Sequence, residues 1–501
     1  MALGQGRLAK VYTRGSLGLT PPLVVVEAHI APGLPSFSIV GLPEGALRES
    51  RERVRSAIIN SGFTFPQGRI TVSLAPANLP KQGSRYDLPI ALALLMASGQ
   101  LAPVLDITQL ECYAELGLDG TLRSTEAPLP AVLATQQAHR LPMLSSADAA
   151  QCRLVGGGAC YQASSLLQVC TLLLQPVAPE QLGKVHEQPV HYAHNLSQVK
   201  GQHQARRALE IAAAGGHHLL LTGAPGSGKS LLAQCLPSIM PPLTLTQARE
   251  CALIYALATQ PRANYLARPF RAPHHSASVA AMIGGGSLPR PGEISLAHQG
   301  VLFLDELAEF PRQVLESLRQ PLEAGEVHIS RAQQQLIFPA NFQLVAAMNP
   351  CPCGYYGDGS ERCHCSEQQI AKYQSKVSGP LVDRLDMVLT VLPLKQSVLL
   401  ANNLQNEHSD KVRDRVIGAY NRQLERQGRI NAQLSAEILD QTVPLKRDNQ
   451  LILERIMNKL SLSARSYYRI LRVARTIADL AASKTVERQH LIEAASYRRD
   501  R

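Results

Sequence analysis

The sequence predicts an α/β protein: a phosphate-loop core, an α+β domain before it and a helical region after it. Two observations carry that reading. The run Gly223, Ala224, Pro225, Gly226, Ser227, Gly228, Lys229, Ser230 fits the pattern G-x-x-x-x-G-K-[ST], whose backbone N–H groups cradle phosphate. Downstream, Val301 to Leu304 is a continuous apolar run of buried-strand character that ends in the adjacent acids Asp305 and Glu306. Open α/β sheets hold ligands at the carboxyl ends of their strands, so the two motifs are expected at one edge.

Length and composition frame these elements. The chain has 501 residues, 33 prolines, 35 glycines and no tryptophan, enough for about three domains. No apolar stretch is long enough to span a bilayer and the N-terminus lacks a signal-peptide pattern, so a cytoplasmic protein without membrane contact is expected. Its ten cysteines then read as thiols or metal ligands rather than as a disulfide framework. Of the net charge of +11, residues 395–501 carry 20 Lys and Arg against 12 Asp and Glu, a surplus of eight. Charge of this kind fits a polyanionic partner and fits equally a merely soluble basic helical surface.

In chain order, residues 1–175 mix strands such as Leu23–Ala28 and 69–74 with helices at 44–61 and 88–97, an α+β domain. Residues 176–195 are proline-rich and weakly patterned, and read as a linker. Residues 196–394 form the nucleotide-binding core. Within it 204–214 is a helix stopped by Gly215 and Gly216, 218–222 a strand entering the phosphate loop, and Ser230 onward the helix leaving it. Lys229 is placed to neutralise phosphate charge and the Ser230 hydroxyl to ligate Mg²⁺. Asp305 would hold the Mg²⁺ shell while Glu306 orients and deprotonates the attacking water, which makes ATP with Mg²⁺ the expected cofactor pair. From 395 to 501 helical periods dominate. Ile470, Val473, Ala474, Ile477, Leu480 and Ala481 follow a buried stripe, and Arg465, Arg469 and Arg472 follow the same spacing on another side.

Two cysteine pairs, Cys351 with Cys353 and Cys363 with Cys365, lie within fifteen residues. Four thiolates on one loop can surround a structural Zn²⁺, although C-x-C is tighter than the usual spacer; free thiols or a redox switch are the competing reading. The remaining cysteines are scattered and read as core.

Together, Val199 to Gln202, the phosphate loop, Arg268 to His275, Gly284 to Gly286, the Asp305–Glu306 strand, Asn349 to Gly354 and Ser463 to Arg465 resemble the magnesium-chelatase-like AAA+ ATPases. The similarity extends over essentially the whole chain, and is greatest to the bacterial competence-associated ComM/YifB-type group. It implies a ring, by resemblance a hexamer, that acts as an ATP-dependent DNA motor in recombination during natural transformation, by helicase action or branch migration, with recombination proteins as possible partners. The alternative within the same resemblance is a chelatase-type motor that drives metal insertion or remodels a protein partner.

The resemblance also assigns residues. Asn349, at the end of the strand 342–348, matches the polar sensor that positions the lytic water, and Arg384 the arginine finger offered to a neighbouring subunit. A surface ion pair with Asp383 or Asp386 is the plain alternative for Arg384. Arg465 matches a second sensor on a helical lid. The segment 278–299 matches an insert facing the ring channel, and 327–338 a hairpin with its tip near Arg331 to Gln334. Arg290 and Arg331 would there meet DNA phosphates, or the loops would serve subunit contacts. The N-terminal domain is similar to the Lon-protease-like, ribosomal-protein-like fold. Arg85 stands where the nucleophile is expected and Leu129 where its lysine is expected, with Ser84 adjacent, so a scaffold or partner module is expected rather than a peptidase.

Overall fold

A computed structural model describes residues 7–41, 44–77, 79, 81, 83–153, 158–182, 190–260, 262, 264–286, 289–331, 334–394, 406–459 and 462–498. It divides into two compact units, one formed by residues 1–188 with 248–265 and the other by 189–247 with 266–501.

In the first unit a four-stranded sheet runs in the order Arg7–Arg14, Leu23–Ala31, Arg69–Ala75, Ser36–Val40. The first three strands pair antiparallel and the last pair is parallel. Alternation sends Val24, Val26 and Ala28 inward, as a half-covered sheet requires. Helix Asp87–Ala97 is apolar on nearly every side, and all of it except Met96 is buried. Helices of this kind have no solvent face to offer and become a core. A second sheet orders Glu180–Gln181, Ala159–Ala163, Leu141–Ser145 and Leu110–Tyr113, with the last three parallel.

Two features of this unit depart from the sequence boundaries. Glu180–Gln181 is an edge strand and Leu182 is buried, so the proline-rich segment begins as part of a sheet. Ala252, from helix Leu245–Leu257, packs in one cluster with Tyr113, Leu129, Val132 and Leu144, although its place in the chain is inside the nucleotide-binding core.

Arg85 is buried and donates to the Gly15 carbonyl at 2.7 Å and to the Glu126 carbonyl. Ser84 donates to Glu115, and Leu129 is buried. A guanidinium committed to two carbonyls supplies no nucleophile.

The second unit is built on a five-stranded sheet ordered Phe270–Arg271, Val301–Leu304, Gln343–Met348, Leu219–Thr222, Met387–Thr390, every pair parallel. Helix His203–Gly215 ends on Gly216 in the left-handed region at φ 73°, where glycine escapes the Cβ penalty. The helical region does not stand apart from this sheet. Ile470, Val473, Ala474 and Ile477 of helix Ala464–Leu480 lie in one core with Leu219, Leu221 and Val345. Asp479 accepts from Arg426 at 2.6 and 2.9 Å, Arg475 at 3.0 Å and Asn431 at 2.9 Å, and His217 Nε2 lies 2.7 Å from Thr476 Oγ1. Burial is tolerated there because each charge has a partner. Among the described residues, no helix is long and apolar enough to cross a membrane.

Candidate nucleotide site and cysteine cluster

Parallel register brings the motifs together. Thr222 is aligned with Met348, and Leu304 with Ala346, so the residues that follow these strands leave the sheet at the same edge. Gly223, Asp305 and Asn349 are those residues. Gly226 and Gly228 take φ of 76° and 93°, the left-handed conformation that side chains resist, and the turn delivers Lys229 to the first position of helix Lys229–Ile239. Gly223 is required for a different reason: a Cβ there would lie 2.3 Å from the Val391 carbonyl oxygen.

Lys229 is buried, and its ammonium donates to the carbonyls of Gly223 at 2.8 Å and Ala224 at 2.9 Å and to Asn349 Oδ1 at 3.3 Å. Burial lowers its pKa, and the charges of Asp305 and Glu306 act against that shift. The Ser230 hydroxyl donates to Asp305 Oδ2 at 2.7 Å, which puts two hard oxygen ligands of the kind Mg²⁺ prefers side by side. Ser227 Oγ is buried in the loop without a protein partner, as expected of a group that a phosphate oxygen would satisfy.

Glu306 sits at φ 53°, ψ 49° with its side chain half exposed. Its backbone N–H donates to Asp305 Oδ1 at 3.0 Å, while Asp305 Oδ2 takes the Ser230 hydroxyl. His275 Nδ1 approaches Glu306 Oε2 at 3.3 Å. That contact went unassigned in the sequence, where His274 and His275 are only part of a family-like run.

The four thiols converge. Their Sγ atoms all lie within 4.8 Å of one another, with Cys351 to Cys353 at 3.3 Å, Cys351 to Cys363 at 3.8 Å and Cys353 to Cys363 at 3.6 Å. Zn–S bonds near 2.3 Å in a tetrahedron require sulfurs about 3.8 Å apart, so the donor set fits Zn²⁺. The Tyr355 N–H, together with neighbouring thiols, holds the Cys353 thiol down to about 6. Cys351 also accepts from the N–H groups of Gly354 at 3.2 Å and Tyr356 at 3.4 Å. The loop reaches the phosphate motif: at Gly354, φ 88°, a Cβ would come 2.7 Å from Pro225 Cδ. The six other cysteines are buried.

The remaining candidates are dispersed. Arg384 pairs with Glu323, not with Asp383 or Asp386, and donates to the Pro380 carbonyl at 2.6 Å. Arg465 is exposed in the first turn of helix Ala464–Leu480. Arg469 and Arg472, which share its helical spacing, turn to protein partners instead. Arg469 lies 3.7 Å from Asp386 and donates to the Leu385 carbonyl at 3.4 Å, and Arg472 donates to the Leu434 carbonyl at 2.9 Å. Arg290 is exposed in the short ladder Gly284–Gly285 with Arg290–Pro291, inside an insert that also holds helices Val279–Ile283 and Glu293–Leu296. The hairpin pairs Glu326–Arg331 with Gln334–Pro339; the Arg331 side chain and residues 332 and 333 at its tip lie outside the described part.

The family model described as "Magnesium chelatase, subunit ChlI" matches residues 195–399, its C-terminal model 406–498, and "Subunit ChlI of Mg-chelatase" 26–147. The chain is 46% identical to "Competence protein ComM" of Haemophilus influenzae, over 98% of this chain and 97% of the relative. It is 45% identical to "Uncharacterized protein YifB" of Escherichia coli over the same shares. A more distant similarity, 24% over 48% of the chain, joins it to "Magnesium-chelatase 67 kDa subunit" of Chlorobaculum tepidum. These matches span both compact units, and the chain belongs to the ComM/YifB-type magnesium-chelatase-like family.

Proposed function

We propose that the chain is an ATP-driven DNA motor that acts by helicase action or branch migration on single-stranded or branched DNA during recombination, in the context of natural transformation. The observation that carries the ATPase part is the convergence of Lys229, Asn349, Ser230 and Asp305 at one sheet edge. Lys229 and the loop bind the phosphates, Ser230 and Asp305 hold Mg²⁺, Asn349 and Glu306 position and deprotonate water. Similarity to a competence protein supports DNA as the polymer, and so does the basic C-terminal region.

Arg384 is read as the finger for a neighbouring subunit's phosphate in a hexameric ring, with its Glu323 pair as the contact to be exchanged on assembly. Arg465 serves as the lid sensor, and Arg290 and Arg331 meet DNA backbone in the channel. The cysteine cluster holds one structural Zn²⁺ that fixes its loop against Pro225. The N-terminal region is read as a non-catalytic Lon-protease-like module.

The test is ATP hydrolysis with and without forked, three-stranded and four-way DNA over a salt series. Stimulation by DNA that falls steeply with salt supports the reading, since counterion release governs phosphate contacts. Hydrolysis indifferent to every DNA favours the chelatase-type motor, to which the family models and the Chlorobaculum relative point.

A further inference from the structure

Three arginines gather where strand Met387–Thr390 begins. Asp386, the residue before this strand, is buried, and its Oδ2 accepts from the His218 N–H at 3.1 Å. Arg469 Nε lies 3.7 Å from Asp386 Oδ1, and Arg469 Nη1 donates to the Leu385 carbonyl at 3.4 Å. Arg472, one turn along helix Ala464–Leu480 on the same face, gives its Nε to the Leu434 carbonyl at 2.9 Å. Arg498 arrives from the chain beyond helix Arg488–Ser496. The Val388 N–H donates to the Tyr497 carbonyl at 2.8 Å, which fastens the residue next to Arg498 beside the same strand. Because Met387 is aligned with Leu219 and Thr390 with Thr222, this cluster lies at the opposite end of the strands from the phosphate loop.

Arg498 is 8% exposed, and among the described residues its Nε and Nη2 meet no acceptor. These two nitrogens share one edge of the planar guanidinium, the edge that engages two oxygens of an oxyanion at once. Buried donors are nearly always satisfied, so a whole edge left open points to a ligand. We propose that Arg498, with Arg469 and Arg472, forms a binding site for a phosphate-type oxyanion, separate from the loop that carries Lys229. The site stands whether or not the chain moves DNA.

Charge and shape choose the ligand. Three guanidiniums face one buried carboxylate, Asp386, while Asp383 is exposed to water. His217 Nδ1 lies 3.5 Å from Asp386, and burial lowers the pKa of His218, so neither ring supplies negative charge. Burial also lowers the pKa of all three arginines. It pushes Arg469 down to about 10 against the pull of Asp386, and repulsion by Arg498 and Arg472 adds to the drop. An anion reverses that repulsion. Forks arriving from two separate segments suit a tetrahedral anion with four oxygens better than a planar carboxylate with two. The Arg469 side chain is 12% exposed, which with the 8% of Arg498 puts the cluster just under the surface.

The experiment uses the full chain carrying Lys229→Ala, in which the loop contributes little phosphate binding. Inorganic phosphate is titrated by calorimetry and in thermal melts, with chloride at matched ionic strength as the control and ADP in parallel. Phosphate should bind at one per chain and raise the melting temperature. Adding Arg498→Met should weaken it on the order of 10- to 100-fold, the worth of a charge-assisted contact, and Arg498→Lys, which keeps the charge without the two-donor edge, should fall between. Without phosphate, Arg498→Met should melt at the same temperature or higher, since it removes a buried charge that has no partner. Arg498-dependent binding of ADP but not of phosphate supports the site and assigns the anion to a nucleotide rather than to free phosphate. Affinities for both that Arg498→Met leaves unchanged overturn the proposal. So does a lower melting temperature of Arg498→Met in phosphate-free buffer, which would make Arg498 a structural partner of Asp386.

Discussion

Lys229→Ala isolates the phosphate-binding charge. The ammonium is buried and held by the carbonyls of Gly223 and Ala224 and by Asn349, so it is oriented into the loop. One ammonium and one phosphate charge about 4 Å apart at an effective dielectric of about 20 interact by about 4 kcal/mol, and part of that is offset by the desolvation that lowers this lysine's pKa. ATP affinity should therefore fall on the order of 100- to 1000-fold. Stability moves much less. The variant loses contacts worth roughly 1 kcal/mol each but no longer buries an ammonium, so Tm should shift by no more than roughly 5 °C. Titration of a fluorescent ATP analogue beside a thermal melt measures both. A folded Lys229→Ala chain that binds ATP like the wild type would refute the placement of this lysine on the phosphates.

Zinc should be present at one ion per chain after purification without added metal, and Cys351→Ser or Cys363→Ser should lower it; elemental analysis showing no dependence on either cysteine removes the site. Gly354→Ala should strain a left-handed position and press on Pro225, weakening ATP binding while zinc content is retained, which calorimetric ATP titration with metal analysis separates. Arg384→Ala and Glu306→Gln rings should each be inactive alone and regain hydrolysis when mixed, because some interfaces then unite an intact finger with an intact base. Phosphate release that stays at the baseline in every mixture contradicts a finger acting between subunits.

Much of the nucleotide site was legible because its requirements are local. A loop that must reach φ values of 76° and 93° announces itself with Gly226 and Gly228, and a buried strand delivering acids announces itself as four apolar residues before Asp305. The cysteine cluster was legible for the same reason. Contacts made across distant segments were not. Nothing in the spacing of Arg465, Arg469 and Arg472 says that the last two turn inward to Leu385, Asp386 and Leu434, because helical periodicity defines a face but not what covers it. Arg384 likewise found its partner in Glu323, 61 residues away, rather than in the aspartates beside it. Ala252 joins the N-terminal unit through packing that a linear boundary does not encode. His275 belongs to this class, since only the parallel pairing of Phe270–Arg271 with Val301–Leu304 brings it to Glu306.

The motor reading is tested most directly by strand movement. Purified wild-type chain is mixed with labelled three-stranded and four-way DNA, Mg²⁺ and ATP, and the products are resolved on a native gel beside reactions with Glu306→Gln and with a non-hydrolysable ATP analogue. The account predicts displaced or migrated strands only for wild type with ATP. Wild-type chain that hydrolyses ATP under the same conditions yet moves no strand on any substrate would contradict it.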